Sequence, residues 1–258
     1  MVRLKQTKRK QRRPLGTFSS YTPNFLSYRN PVVNAWWSAA FPGFGHIAMC
    51  IYVKGFLLMA WEFYINLEAN INLAIFYSFT GDFDLARNVL NKRWVFLYIP
   101  VYIYTIWDTY RTTIDLNKFY ILSIRANTMV TPFSASTLSI SFLDRRTPWL
   151  AAFWSALTPG MGQLYNQKIP SGFIILVAWI AVVYMSNILT AIQLCFVGLL
   201  SESIRVLNIQ WLLFIPSMYG FNIWNAYAGA VELNKLFEME QQLFLESFYQ
   251  SKDFKMPI

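Results

Sequence analysis

Trp36-Trp37-Ser38-Ala39-Ala40-Phe41-Pro42-Gly43-Phe44-Gly45-His46 returns as Phe153-Trp154-Ser155-Ala156-Leu157-Thr158-Pro159-Gly160-Met161-Gly162-Gln163, at a fixed offset of 117 residues. Each time an apolar run rich in small residues leads into Pro-Gly-x-Gly and then a side chain that hydrogen-bonds. Proline removes a backbone donor and glycine reaches φ values closed to other residues, so the backbone is broken at one chosen place. Further along, Trp107-Asp108-Thr109-Tyr110 returns as Trp224-Asn225-Ala226-Tyr227, and Asp115-Leu116-Asn117-Lys118 as Glu232-Leu233-Asn234-Lys235, at the same offset. Agreement at both ends of the unit indicates a tandem repeat, residues 31–118 and 148–235.

Composition sets the class. Of 258 residues, 55% are hydrophobic, 18% aromatic and only 14% charged, the balance of an integral membrane protein rather than a soluble domain. The formal charge of +9 suggests nucleic-acid binding until it is located: Arg3, Lys5, Lys8, Arg9, Lys10, Arg12 and Arg13 supply seven of the positive charges. A short basic tail beside apolar spans reads as an orientation signal that keeps the N-terminus cytoplasmic, and no nucleic-acid partner is expected. Pro14 to Pro31 is polar and turn-rich, unlike the apolar region of a signal peptide. Cys50 and Cys195 lie in hydrophobic stretches at non-equivalent repeat positions, which supports neither a disulfide framework nor a CxxC metal site.

The chain divides into a basic cytoplasmic tail and connector (1–30), membrane repeat 1 (31–118), a cytoplasmic linker (119–147), membrane repeat 2 (148–235) and a C-terminal tail (236–258). Each repeat opens with a half-helix, Val32 to Phe41 or Trp149 to Leu157, too short for the roughly 20 apolar residues that a crossing needs. A spanning helix follows the break, Ile47 to Tyr64 or Gly172 to about Leu200. Next come a hydrophilic outer connection, Thr80 to Arg93 or Ser201 to Asn208, and a second span, Trp94 to Thr113 or Trp211 to Ala230. The expected fold class is an all-α polytopic membrane bundle: two tandem repeats, each a broken half-helix plus two spanning helices. Two spans per repeat give both repeats one orientation and place Arg125, Arg145 and Arg146 on the cytoplasmic side. A pseudo-two-fold axis along the membrane normal is then expected, whereas a third crossing per repeat would invert one repeat against the other. Phe237 to Tyr249 reads either as an amphipathic interfacial helix or as a continuation of the last span.

The break motifs, Pro42, Gly43 and Gly45 with Pro159, Gly160 and Gly162, permit a tight turn and close helix approach. The alternative is an exposed-backbone site for an ion or small anionic headgroup, as in the broken helices of transporters. No Gly-Lys-Ser/Thr follows either glycine pair, which excludes a P-loop, and a single histidine excludes an HExxH zinc site. No catalytic residue, metal or cofactor is expected, and Glu62 and Asp108 are the ionisable groups deep in the spans. Trp107, Tyr110, Trp224 and Tyr227 suit the depth of a membrane interface and read as anchors.

Pro159-Gly160-Met161-Gly162-Gln163-Leu164-Tyr165 resembles the first hydrophobic hairpin of small bacterial membrane proteins of the TM2-domain-like type. The first repeat departs from that pattern at His46 and Ala48, and the likeness covers only the first part of each repeat. It implies a bacterial multi-pass membrane protein and carries no activity with it. The expected role is a structural or accessory subunit, partnered by the bilayer and by another membrane protein or a second copy. The alternative is a small-solute or ion transporter using the two broken-helix sites. At the polar positions, His46 corresponds to Gln163 and Asp108 to Asn225, so one imidazole and carboxylate stand where two amides stand in the other repeat. Expected contacts are His46 with Asp108 and Gln163 with Asn225, each tying a break to the last span of its own repeat.

Overall fold

The computed structural model describes residues 15–19, 21–126, 132–137 and 139–249; the basic tail and both chain ends, on which the orientation reading partly rests, lie outside them. Half 1 contains β1 (Gly16–Phe18), β2 (Pro23–Phe25), α1 (Pro31–Ala40), α2 (Phe44–Ala48), α3 (Tyr52–Ala69), α4 (Ile71–Thr80), α5 (Phe83–Val89) and α6 (Lys92–Arg125). Half 2 contains β3 (Phe133–Ala135), β4 (Ile140–Phe142), α7 (Pro148–Leu157), α8 (Met161–Tyr165), α9 (Ile169–Ser186), α10 (Ile188–Phe196), α11 (Leu200–Val206), α12 (Ile209–Leu212) and α13 (Ile215–Phe248). Each element of half 1 begins 117 residues before its counterpart, α12 and α13 together standing for α6. The fold is predominantly helical, and each half adds a two-stranded antiparallel hairpin that the all-α reading omitted.

Local chemistry accounts for the breaks. Asn30 caps α1 by accepting the Val32 N–H at 2.9 Å, and Pro31 and Pro148 occupy first-turn positions where a missing donor costs nothing. After α1 and α7 the chain turns through Gly43 at φ 100° and Gly160 at φ 102°. A Cβ at either would strike the backbone carbonyl of Gly55 or Gly172, so glycine faces glycine where each break meets the next helix.

The expected first spans are interrupted, Ile47 to Tyr64 at Cys50 and Gly172 to Leu200 at Asn187, and the equivalent residues Gln167 and Asn70 break the chain just outside those bounds, all four with positive φ. Asparagine tolerates the left-handed region better than most residues, which is why long apolar runs end there without glycine or proline. The expected outer loops are largely helical, as α5 and α11. Asp84 and Glu202 sit in their first turns and Arg87 and Arg205 in their last, in the sense that the helix dipole favours. Trp94 to Thr113 is only part of α6, which runs through Pro100 to Arg125; Trp211 to Ala230 begins in α12 and continues in α13, with the helix interrupted at Leu213 and Phe214. The C-terminal stretch Phe237 to Phe248 continues α13. Among the described residues α9 is the one helix long and apolar enough to qualify alone as a membrane crossing. Helix α3 carries Lys54, Glu62 and Glu68, and the surface of α6 is rich in Tyr and Trp, whose polar tips lower hydropathy.

Within each half the first helix packs on the last, α1 on α6 and α7 on α13. Between halves the seam is aromatic. Phe44 stacks on Phe221 at 4.1 Å between ring centroids, Trp37 meets Trp224 at 5.2 Å, and Phe63 meets Phe214 edge-on at 4.8 Å. Gln210 extends the seam with polar contacts, donating to Asn66 O and accepting from the Leu73 N–H. A two-fold axis would repeat each contact with the halves exchanged. It would pair Trp154 with Trp107 and Met161 with Tyr104, yet these four side chains are exposed. The expected two-fold relation is therefore replaced by a head-to-tail one.

Candidate functional site

The two breaks are held by buried polar side chains projecting from the long helices. In half 1, Thr105, Thr109, Thr113 and Asn117 recur every fourth residue along α6, and all four are buried. That spacing puts them on one face, towards α1 and α2. Ser38 and Thr109 share a hydrogen bond of 2.7 Å, and Asn34 Nδ2 donates to Thr113 Oγ1 at 3.1 Å. Gly45 lies between them, and any larger residue there would collide with the Asn34 carbonyl, Ser38 Oγ and Thr109.

His46 is fully buried beside this stripe. Its Nε2 is 2.7 Å from Asp108 Oδ2 and its Nδ1 is 3.2 Å from Thr109 Oγ1. An ionised Asp108 only accepts, so Nε2 carries a proton in this arrangement. Lys54 Nζ reaches the same Oδ2 at 2.5 Å, and Tyr104 donates to Oδ1 at 3.2 Å. The carboxylate thus joins α2, α3 and α6 at one point.

The second half answers differently. Gln163 does not use Asn225: its Nε2 donates to Asn222 O and Oδ1, both at 3.2 Å, and its Oε1 accepts from Ser155 at 3.2 Å. Asn222 lies one helical turn before Asn225 on α13, at the position equivalent to Thr105. Both Asn222 and Thr105 return a bond to the carbonyl four residues back, Met218 O and Val101 O. Asn225 is buried nearby. An amide reaches the backbone and side chain of a turn that the imidazole leaves alone, and this shifts the partner by three residues.

Other bonds are shared by the two halves. Tyr102 donates to Ala39 O at 2.7 Å and Tyr219 to Ala156 O at 2.6 Å, which secures the carbonyls near the end of each first helix. Asn117 brackets Arg29, accepting its N–H at 3.0 Å and donating to its carbonyl at 2.8 Å; Asn234 does the same to Arg146, at 2.7 Å each way. The Asp/Glu-Leu-Asn-Lys elements therefore clamp the segment entering each half. Of the expected anchors, Trp107 and Tyr110 are exposed, Trp224 packs in the seam, and Tyr227 meets Trp149 at 5.1 Å.

Glu62, expected as an ionisable group deep in a span, finds its partners here, and two further groups escaped the sequence reading. Glu62 is buried on α3, with Asn66 donating to its Oε1 at 2.9 Å, and Asn66 links on to Asn72 and Gln210 across the seam. Arg29 forms a bidentate pair with Glu232 of the other half, at 2.7 and 2.6 Å. Burial raises the Glu232 carboxyl, but the Arg29 guanidinium outweighs it and holds the pKa below the ordinary 4.5. Thr105, Thr109 and Thr113 had a legible signal in their four-residue spacing; Arg29 with Glu232 had none, being 203 residues apart.

Among the described residues no group of three or more His, Cys, Asp or Glu gathers as a metal site, and Cys50 and Cys195 are free. No protein-family model, curated protein or solved structure matches this chain.

Proposed function

We propose that this protein is a multi-pass membrane scaffold, a structural or accessory subunit whose two halves are products of a tandem duplication. The observation that carries the reading is the inverted distribution of polarity. Asn34, Ser38, His46, Thr109, Gln163 and Asn222 are buried, whereas Val53, Leu57, Phe96, Ile103, Val177 and Tyr184 are exposed. Large contiguous apolar surfaces on a water-soluble chain are unfavourable, while polar groups turned inward satisfy one another away from lipid. The TM2-like hairpin residues agree with this reading, since Pro159, Gly160 and Gly162 shape a turn and Gln163 fastens it.

In this reading each half crosses twice. The linker before α7 lies on the cytoplasmic side with Arg145 and Arg146, and α5 and α11 lie on the opposite side. The polar side chains at the breaks serve as fasteners, because each is consumed by partners inside the chain. Glu62 supports a second reading as an ion path, since it is a carboxyl buried on α3 in the expected first span, with Asn66 bound to one of its oxygens.

Topology labelling tests the first reading. In a chain lacking Cys50 and Cys195, Asp84→Cys and Glu202→Cys should react with an impermeant thiol reagent in intact cells, and Asp144→Cys should not. Outside labelling of Asp144→Cys, or recovery of the chain from the soluble fraction, overturns it. Ion flux in liposomes that contain this chain alone, abolished by Glu62→Gln, would establish the second reading in its place.

A further inference from the structure

The seam inside the chain joins two unlike faces. One is built by Trp37, Phe41, Phe44 and Phe63 on or beside α1 to α3, and the other by Phe214, Phe221 and Trp224 on or beside α13. Both faces exist twice. The counterparts of the first, at the same offset, are Trp154, Thr158, Met161 and Ile180; the counterparts of the second are Leu97, Tyr104 and Trp107. These second versions are uncovered: Trp154 is 43% exposed, Ile180 58%, Leu97 59%, Tyr104 47% and Trp107 51%. A heterologous interface used once leaves one free face of each kind.

Charge follows the same pattern. Arg29 and Glu232 close the internal seam, and their counterparts are Arg146 and Asp115. The Arg146 guanidinium stacks over Phe142 and Tyr165 at 5.3 and 5.5 Å from the ring centroids, and its Nη2 is buried without a hydrogen-bond partner; Asp115 is exposed with a 3.2 Å contact to Lys118. The free faces thus carry the same pairing of cation with carboxylate that the joined faces have already used.

We infer that a second copy of this chain docks head to tail, its Leu97, Tyr104 and Trp107 face seated on Trp154, Met161 and Ile180, with its Asp115 directed to Arg146. The inference rests on the membrane-scaffold reading and supplies its partner. The smallest closed form is a two-chain ring of four halves, in which both free faces are used.

Disulfide trapping in native membranes tests it with the full chain lacking Cys50 and Cys195. Two differently tagged chains, one Trp107→Cys and one Trp154→Cys, should form a mixed covalent dimer several-fold more abundant than the control pair Leu57→Cys and Val177→Cys. Asp115→Arg or Arg146→Asp alone should lower that yield several-fold, and the two together should restore it, which a misfolded variant would not do. A yield equal to the control in a chain that remains membrane-embedded means that lipid covers these faces, and it overturns the inference while the scaffold reading stands. Recovery of the chain outside the membrane fails the scaffold reading itself.

Discussion

Half 1 and half 2 have one backbone plan and two polar interiors. The glycines at the breaks, the asparagine clamps and the tyrosine bonds to Ala39 and Ala156 coincide at an offset of 117, whereas His46 with Asp108 and Gln163 with Asn222 do not. Backbone contacts leave little latitude, because a glycine that touches a carbonyl admits no substituent. Side-chain pairs leave more, because an imidazole and an amide both reach hydrogen-bonding partners from the same starting point. The halves also differ in cover: the aromatic face of α1 to α3 is packed, and the matching face of α7 to α9 is open.

The charge pair separates the halves most sharply. Glu232→Gln leaves Arg29 uncompensated in a buried site and should cost about 3 kcal/mol, while Asp115→Asn should cost under about 1 kcal/mol in isolated chains. Thermal inactivation in detergent, with monodispersity as the readout, distinguishes them. Because the Glu232 pKa is held below 4.5, its contribution is present above about pH 4.5 and is lost as pH falls through the lower folded value. The wild type should lose that stability on acidification, and Glu232→Gln should show a flatter profile between pH 5 and the acid limit. Equal losses for the Glu232 and Asp115 variants would erase the asymmetry.

Next come the shared glycines. Gly45→Ala and Gly162→Ala should each destabilise by about 2 to 3 kcal/mol, since the new methyl meets rigid carbonyls and packed side chains in both halves. The same thermal assay applies, and tolerance in one half alone would break the common plan.

His46→Gln should cost about 1 to 2 kcal/mol, because buried Thr109 and half-buried Asp108 lose their bonds to the imidazole. Adding Thr105→Asn supplies the residue that Gln163 uses in half 2 and should recover part of the loss, while Lys54 continues to hold Asp108. A double variant no better than the single one would show that the two polar interiors are not interchangeable. The smallest effect belongs to Gly81→Ala and Gly198→Ala. Both glycines have positive φ but open surroundings, so only the left-handed cost of about 1 kcal/mol applies, equally in each half.

Residues near in sequence made much of this legible. Pro-Gly-x-Gly dictates a broken helix wherever it stands, the 117-residue offset dictates two similar units, and the polar stripe of α6 follows from a four-residue spacing. His46 and Asp108 were also within reach, since a helix of known rise returns the carboxylate to the break. Tertiary structure alone decided the rest. Gln163 met Asn222 instead of Asn225 because one turn of α13 separates them, and the rotation of that helix against the break selects between the two. The head-to-tail seam depends likewise on how one half is turned against the other, as does the meeting of Arg29 with Glu232. A repeat in sequence specifies equal parts; the angle between them is set by which faces exclude solvent or lipid together, and local patterning carries no record of that choice.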